Sequence, residues 1–246
     1  MRVVAIIQAR LGSTRLPGKV LAEIGGRPML GRVAERLRLS SRVDEIVVAT
    51  TDLAGDGPLA AACGPLGLPV FCGSDSDVLD RYKQAAARFN ADAVVRITAD
   101  CPLLDPALVD RAVAEVADRG FDCACVVPIG PLAFPRGFDA EVFTVASLER
   151  AWQAANQPHE RAHVTPYLYE RPEEFSLSPL EADRDYRHIR LTVDTPDDLR
   201  LIRALHQRLA LQEEAFTWRD CVAIIEANPT LRATNLHVRQ KALAAG

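Results

Sequence analysis

The chain has 246 residues, 48% of them hydrophobic and 25% charged, with a formal net charge of -4. That length supports a sizeable core in a single domain, expected to span 1–246 with a helical tail from about 212. The acidic balance argues against a nucleic-acid partner, whose phosphates need a basic footprint, and the apolar runs are too short for a signal sequence or a membrane span, so a cytoplasmic protein without membrane insertion is expected.

The first element is an apolar run, Val3-Val4-Ala5-Ile6-Ile7. Such continuity fits a parallel strand covered on both faces. It leads into Gln8-Ala9-Arg10-Leu11-Gly12-Ser13-Thr14-Arg15-Leu16-Pro17-Gly18-Lys19. This loop carries three cations, Arg10, Arg15 and Lys19, and two glycines that let backbone N–H groups come close to a ligand. Ligands of open α/β sheets sit beyond the carboxyl ends of the strands, and a basic loop there suits phosphate. The two common phosphate motifs do not fit. Five residues separate Gly12 from Gly18 and Val20 follows Lys19, whereas a Walker loop has four and then a hydroxyl after its lysine. A Gly-x-Gly-x-x-Gly turn is also absent here.

Further along, Met29, Leu30, Val33 and Leu37 recur at helical spacing and predict a helix over 29–39. A strand at 45–49, a loose Ala-rich helix at 54–66 and a short strand at 69–72 follow. Residues 77–89 read as a helix capped by Ser76 or Asp77. A strand at 93–97 ends in Thr98-Ala99-Asp100, Asp105-Pro106 opens a helix to about 119, and 122–127 is another strand. This alternation predicts a three-layer α/β fold, a mostly parallel central sheet with helices on both faces. The proline-rich stretch 128–135 reads as an irregular loop, 145–155 and 160–169 as helices, and 171–185 as a surface loop with a short strand. A strand over 186–193, a helix from Pro196 to about 211 and an amphipathic helix over 218–228 complete the chain. Cys63, Cys72, Cys101, Cys123, Cys125 and Cys221 lack a Cys-x-x-Cys pair or a histidine at zinc spacing, and are expected to be free, buried thiols.

The second constellation is acidic. Asp100 and Asp194 each end an expected strand and should face the crevice that the basic loop lines. Two carboxylates beside a triphosphate are hard oxygen ligands of the kind Mg²⁺ takes. Asp194 also has a structural reading, because Asp194-Thr195-Pro196 is an ordinary helix start. Asp75-Ser76-Asp77 is a rival metal motif of Asp-x-Asp form, but it stands at a helix start, where a cap is the simpler role.

The loop at 8–19 resembles the opening signature of the cytidylyltransferases that activate acidic sugars, the Kdo and acylneuraminate enzymes among them, and most closely their spore-coat polysaccharide biosynthesis branch. The resemblance continues through Ala49-Thr50-Thr51-Asp52, the stretch from Gly73 to Tyr82, Arg96-Ile97-Thr98-Ala99-Asp100-Cys101-Pro102-Leu103, the stretch from Pro135 to Phe143, His163-Val164-Thr165-Pro166-Tyr167 and Thr192-Val193-Asp194-Thr195-Pro196-Asp197-Asp198-Leu199, to about residue 210. It implies a nucleotide-diphospho-sugar transferase-like fold. It further implies CTP or another nucleoside triphosphate at Ala9, Arg10, Leu11, Gly12, Ser13, Arg15, Lys19, Thr50, Asp52, Ser74, Asp77 and Thr98, and Mg²⁺ at Asp100 and Asp194. A sugar acceptor would lie near Arg136, Asp139, Glu141 and His163, with Arg10, Lys19 and Asp100 serving catalysis, and a homodimer follows by analogy. The chain departs from the family at Ala99, where glycine is usual; if that position needed a positive φ, alanine would be strained.

The reaction so implied is magnesium-dependent transfer of CMP from CTP to an acidic or related sugar, for surface polysaccharide, with pyrophosphate leaving. A sugar oxygen attacks the α-phosphorus, so positioning and charge stabilisation suffice and no protein nucleophile is needed. Two readings of other classes remain: a glycosyltransferase with its metal at Asp75-Ser76-Asp77, which would release nucleoside diphosphate, and a non-catalytic nucleotide-binding module.

Overall fold

The computed structural model describes residues 1–126, 131–209 and 216–240. Its strands are β1 (Val3–Gln8), β2 (Glu23–Ile24), β3 (Arg27–Pro28), β4 (Glu45–Thr51), β5 (Val70–Gly73), β6 (Ala93–Thr98), β7 (Cys123–Cys125), β8 (Glu141–Thr144) and β9 (Leu177–Pro179). Its helices are α1 (Met29–Leu37), α2 (Gly57–Cys63), α3 (Val78–Arg88), α4 (Pro106–Ala117), α5 (Val145–Ala154), α6 (Pro158–His163), α7 (Pro166–Tyr169), α8 (Pro196–Leu209), α9 (Trp218–Ala227) and α10 (Pro229–Ala233). Parts of the expected loop at 128–135, the strand end at 127, the helix end at 210–211 and the two ends of the expected tail, 212–215 and 241–246, lie outside the described residues.

The sheet runs in the order β5-β4-β1-β6-β8-β7-β9. β1 lies inside it, parallel to both β4 and β6, with Val3 to Ile7 all buried. Successive side chains of a strand point to opposite faces. Accordingly Val3, Ala5 and Ile7 join one apolar cluster with residues of α1, α4, α8 and α9, while Val4 and Ile6 join another with residues of α3 and α5. Helices therefore cover both faces, as the alternation predicts, and the fold is α/β and mostly parallel.

Three local expectations are corrected. First, β8 was not anticipated, and it pairs antiparallel with both β6 and β7. It is four residues long and places Glu141 opposite Arg96, a cross-strand ion pair that hides the strand behind a charged residue. Second, the expected strand at 186–193 lies outside the sheet: Arg187 and His188 form a turn, closed by Ile189 N–H on the Tyr186 carbonyl at 2.9 Å, and extended chain follows. Leu191 N–H donates to the Arg136 carbonyl at 2.7 Å and Val193 N–H to the Asp100 carbonyl at 2.9 Å, while Arg136 and Arg190 form an isolated bridge. Gly137 permits this close approach: its φ is 107°, and a Cβ there would stand 2.5 Å from the Leu191 carbonyl carbon. Third, the expected helix at 160–169 is two helices. They part at Val164, whose φ of 74° and ψ of -59° form a strained γ-turn closed by Thr165 N–H on the His163 carbonyl at 2.9 Å.

Helix α9, near the C-terminus, is docked rather than loose. The Trp218 N–H donates to buried Asp105, the cap of α4, at 2.8 Å. The Trp218 ring packs edge-on against Phe134 and Tyr186, with centroids 5.1 and 5.2 Å away. Of the six cysteines five are buried, and Cys72 is exposed. Among the described residues, no helix is long and apolar enough to cross a membrane.

Candidate active site

The loop after β1 is shaped by its glycines. Gly18 adopts a left-handed conformation, φ 69°, at the start of a 3₁₀ turn over Lys19–Leu21, and this turn sends Lys19 inward to 9% exposure. Around Gly12 a Cβ would meet nothing within 4 Å. The loop is pinned from beneath, where Leu11 N–H donates to Asp56 at 2.7 Å and Gly18 N–H to the Leu11 carbonyl at 3.0 Å. Above it opens a crevice of about 420 Å³ at the carboxyl ends of β1 and β6. The crevice gathers Gln8, Ala9, Arg10, Gly12, Ser13, Thr14, Arg15, Lys19, Val20, Thr98, Ala99, Asp100 and Asp194.

The two aspartates converge, and a lysine stands between them. Lys19 Nζ is 2.8 Å from Asp100 Oδ2, 2.8 Å from Asp194 Oδ1 and 2.8 Å from the Val193 carbonyl oxygen. Burial pulls the Lys19 ammonium down, but Asp100 and Asp194 outweigh it and hold the group above its ordinary range. Asp194 Oδ2 receives Arg15 at 2.9 Å and Arg190 at 2.6 Å. Burial alone would raise this carboxyl; Lys19, then Arg190 and Arg15, bring it down to about 2. The donor set fits a divalent cation. Two hard carboxylates already hold a positive group between them, and the ammonium is a stand-in for a cation at that place.

Asp194 is not the cap of α8. Asp198 N–H donates to Thr195 Oγ1 at 3.2 Å while Asp198 Oδ2 accepts from Thr195 N–H at 3.0 Å, a capping box that leaves the preceding Asp194 side chain outside the helix start. Ala99 has no positive φ, so its methyl group sits on ordinary backbone and the departure from glycine brings no strain.

Other expected site residues lie elsewhere. Leu11 packs against the apolar core, Thr50 is fully buried, and Asp52 is exposed with its N–H bonded to the Gly73 carbonyl at 2.9 Å. Ser74 Oγ accepts from Asp77 N–H at 3.0 Å. Asp77 caps α3, accepting from Asp80 N–H at 2.9 Å, and holds Arg161 of α6 through Nε at 3.0 Å. Its neighbour Asp75 pairs with exposed Arg10 at 3.1 Å. On the acceptor side, Arg136 lies in the loop bonded to the 189–191 chain. Burial pushes the nearby Asp139 carboxyl up to about 6, against the pull of the Gly137 N–H at 3.1 Å. Glu141 is buried with Arg96 and accepts from Thr165 Oγ1 at 2.5 Å. His163 ends α6 just before the γ-turn.

A basic glycine loop over a parallel sheet, with a cation clasped by two distant carboxylates at its mouth, is an arrangement for polyphosphate chemistry. The sequence pattern of one family, described as cytidylyltransferase, matches residues 4–218. The chain belongs to the cytidylyltransferase family. It is a nucleotidyltransferase, and its relatives fit that identity. Over 236 residues it is 33% identical to the spore coat polysaccharide biosynthesis protein SpsF of Bacillus subtilis, covering 92% of this chain and 95% of that one. The solved structure of a cytidylyltransferase from Leptospira borgpetersenii is 33% identical with a TM-score of 0.88, covering 98% of this chain and 99% of its own. A CMP:2-keto-3-deoxy-manno-octonic acid synthetase solved with CTP shares the fold at 22% identity and a TM-score of 0.67, covering 85% of this chain and 100% of its own.

Sequence reading did not single out Arg190, met Asp198 only inside the 192–199 motif, and counted Arg161 on the acceptor side rather than as the partner of Asp77. The Thr195-x-x-Asp198 spacing was a visible capping-box signal. The carboxylates that Arg190 meets, Asp194 and Asp198, stand four and eight residues on, whereas Arg161 meets Asp77 from a distant part of the chain.

Proposed function

We propose that this cytidylyltransferase moves CMP from CTP to an acidic or related sugar, releasing pyrophosphate, in the synthesis of a surface polysaccharide, with Mg²⁺ as its metal. The observation that carries this reading is Lys19 held between Asp100 and Asp194 at the edge of the basic crevice. Asp100 and Asp194 would hold the Mg²⁺, which supplies charge stabilisation at the phosphoryl oxygens. Arg10, Arg15 and Lys19 would meet the β and γ phosphates, so Lys19 and Arg15 exchange a carboxylate partner for a phosphate one. Because both partners are anions, the exchange keeps each cation paired throughout. The backbone at Ala9, Gly12 and Ser13, with Thr98 across the crevice, would hold the rest of the nucleotide. Leu11, Thr50, Asp52, Ser74 and Asp77 would act from behind, as supports of the wall.

Arg136, Asp139, Glu141 and His163 are assigned to the acceptor side. A carboxyl at about 6 changes protonation near neutral pH, so Asp139 could accept from or donate to a sugar hydroxyl. A single domain, a homodimer and a cytoplasmic location belong to the same proposal, and light scattering of the purified protein checks the dimer.

The test is pyrophosphate release from each of the four nucleoside triphosphates with Mg²⁺ and a panel of sugar acids, with the product weighed by mass spectrometry. CTP should react and yield a CMP-sugar. Preferred turnover of another triphosphate would overturn the base assignment. A glycosyltransferase would leave all four triphosphates intact and release nucleoside diphosphate only from an added sugar nucleotide, a reading that the pairing of Asp75 and Asp77 each with an arginine does not support.

A further inference from the structure

Asp194 is attached to a set of buried groups that the crevice itself does not include. Arg190 lies on the extended chain four residues before it, and its side chain is 9% exposed. Arg190 Nη2 donates to Asp194 Oδ2 at 2.6 Å, and its Nε donates to Asp198 Oδ1 at 3.0 Å. Asp198 is fully buried and is itself held by the N–H groups of Asp194 and Thr195, each at 3.0 Å. Behind both stands Asn235, buried, whose Nδ2 donates to Asp198 Oδ1 at 2.8 Å and to the Arg190 carbonyl at 3.0 Å. Gln240 accepts from Arg190 Nη1. Asn235 and Gln240 lie beyond residue 218, where the match to the family pattern ends.

We propose that Arg190 is the positioning residue of the Asp194 carboxylate, and that the C-terminal segment holds Arg190 in place through Asn235. The geometry gives the two oxygens of Asp194 different tasks. Oδ2 is taken by the guanidinium groups of Arg190 and, from the loop, Arg15, while Oδ1 is the oxygen that receives Lys19, the ammonium shared with Asp100. Arg15 belongs to the phosphate loop and has a second task there; Arg190 stands outside the crevice lining, and its other partners are Asp198 and Gln240. With Oδ2 pinned, the carboxylate cannot rotate, so Oδ1 stays aimed at the place where a cation is held. A planar guanidinium that engages Asp194 and Asp198 together does this better than an ammonium, which is a single point charge. Groups that orient a metal-binding side chain from behind commonly change metal affinity by about 10- to 100-fold when removed.

The inference rests on the metal assignment above, and the test separates the two. Mn²⁺ is the probe, and its binding to the full-length protein is followed by electron paramagnetic resonance for wild type, Arg190→Lys, Asn235→Leu and Asp100→Asn, with a thermal melt of each. Arg190→Lys should weaken Mn²⁺ binding about tenfold or more, and Asn235→Leu should weaken it in the same direction while removing no charge. A purely electrostatic role predicts no change in either variant, because Arg190→Lys keeps the cation and Asn235→Leu removes no charge. Unchanged or tighter Mn²⁺ binding in Arg190→Lys, with binding lost in Asp100→Asn, would overturn the positioning role alone. Should Arg190→Lys fail to fold, Asn235→Leu decides, and unchanged affinity there overturns the proposal. Mn²⁺ binding that survives Asp100→Asn would move the ion elsewhere and overturn both assignments. Failure to turn over CTP would sink only the catalytic reading, because the binding comparison does not depend on turnover.

Discussion

Two acidic pairs in this molecule look alike on paper and differ in space. Asp75 and Asp77 are separated by one residue, yet each faces its own arginine, Arg10 for one and Arg161 for the other. Asp100 and Asp194 come from distant parts of the chain, yet they share one ammonium, each 2.8 Å from it. Carboxylates with separate partners are already neutralised where they stand, and Asp77 spends its oxygens on a helix cap and a link between α3 and α6. Carboxylates that converge on one cation form a site for positive charge, and such a site can exchange one cation for another. Closeness in sequence is therefore a poor guide to shared function, whereas convergence on one partner is a good one.

The largest effect should come from Lys19→Ala. Its rate of pyrophosphate release should fall by about two to three orders of magnitude, the usual result of removing a preorganised charge from a phosphoryl or acyl site. Because Lys19 is buried between two carboxylates, the melting temperature should fall as well, and millimolar Mg²⁺ should restore part of it by replacing the missing cation. A normal rate would remove Lys19 from the chemistry, and a melting loss indifferent to Mg²⁺ would break the idea that the pair accepts a metal.

Asp194→Asn and Asp100→Asn come next. The capping box of Thr195 and Asp198 stays intact in the first variant, so α8 should persist while activity collapses. The double variant should be little worse than either single one, as expected of two groups that act as a unit. Additive losses in the kinetics would separate them.

A pH series sharpens the contrast. Asp194 is held at about 2 in the folded protein, and an unfolded aspartate titrates near 3.9. A depressed carboxyl contributes stability that is fully present above about pH 4 and is lost as pH falls toward 2. The wild-type melting temperature should therefore drop more steeply over that window than that of Asp194→Asn, measured by circular dichroism. Parallel curves would show that the ion pairs of Asp194 contribute nothing to folding.

The smallest effect belongs to the other pair. Asp77→Ala should cost about 1 kcal/mol through loss of the cap on α3. Asp77→Asn should cost less, because asparagine caps nearly as well, and the partly exposed pair with Arg161 adds little. Both variants should keep most of their turnover. A collapse of activity in Asp77→Asn at full stability would restore the Asp75-Ser76-Asp77 motif as a metal site.

What the sequence determined by itself was whatever is written in neighbouring residues. The apolar run of β1, the helical spacing of Met29, Leu30, Val33 and Leu37, the caps at Asp77 and Asp105, and the cations and glycines of the loop are local patterns, and each lies where it was expected. The tertiary structure alone decided three other matters. It placed β8 antiparallel between β6 and β7, because a four-residue strand that carries Glu141 has no apolar alternation to announce it. It laid the 186–193 chain beside Arg136 rather than in the sheet, because Gly137 leaves room for that backbone and for no Cβ. It also brought Lys19, Asp100, Asp194 and Arg190 to one place. A charged side chain looks the same in sequence whether water or a buried counter-ion will neutralise it, and the choice is made only when packing removes the water.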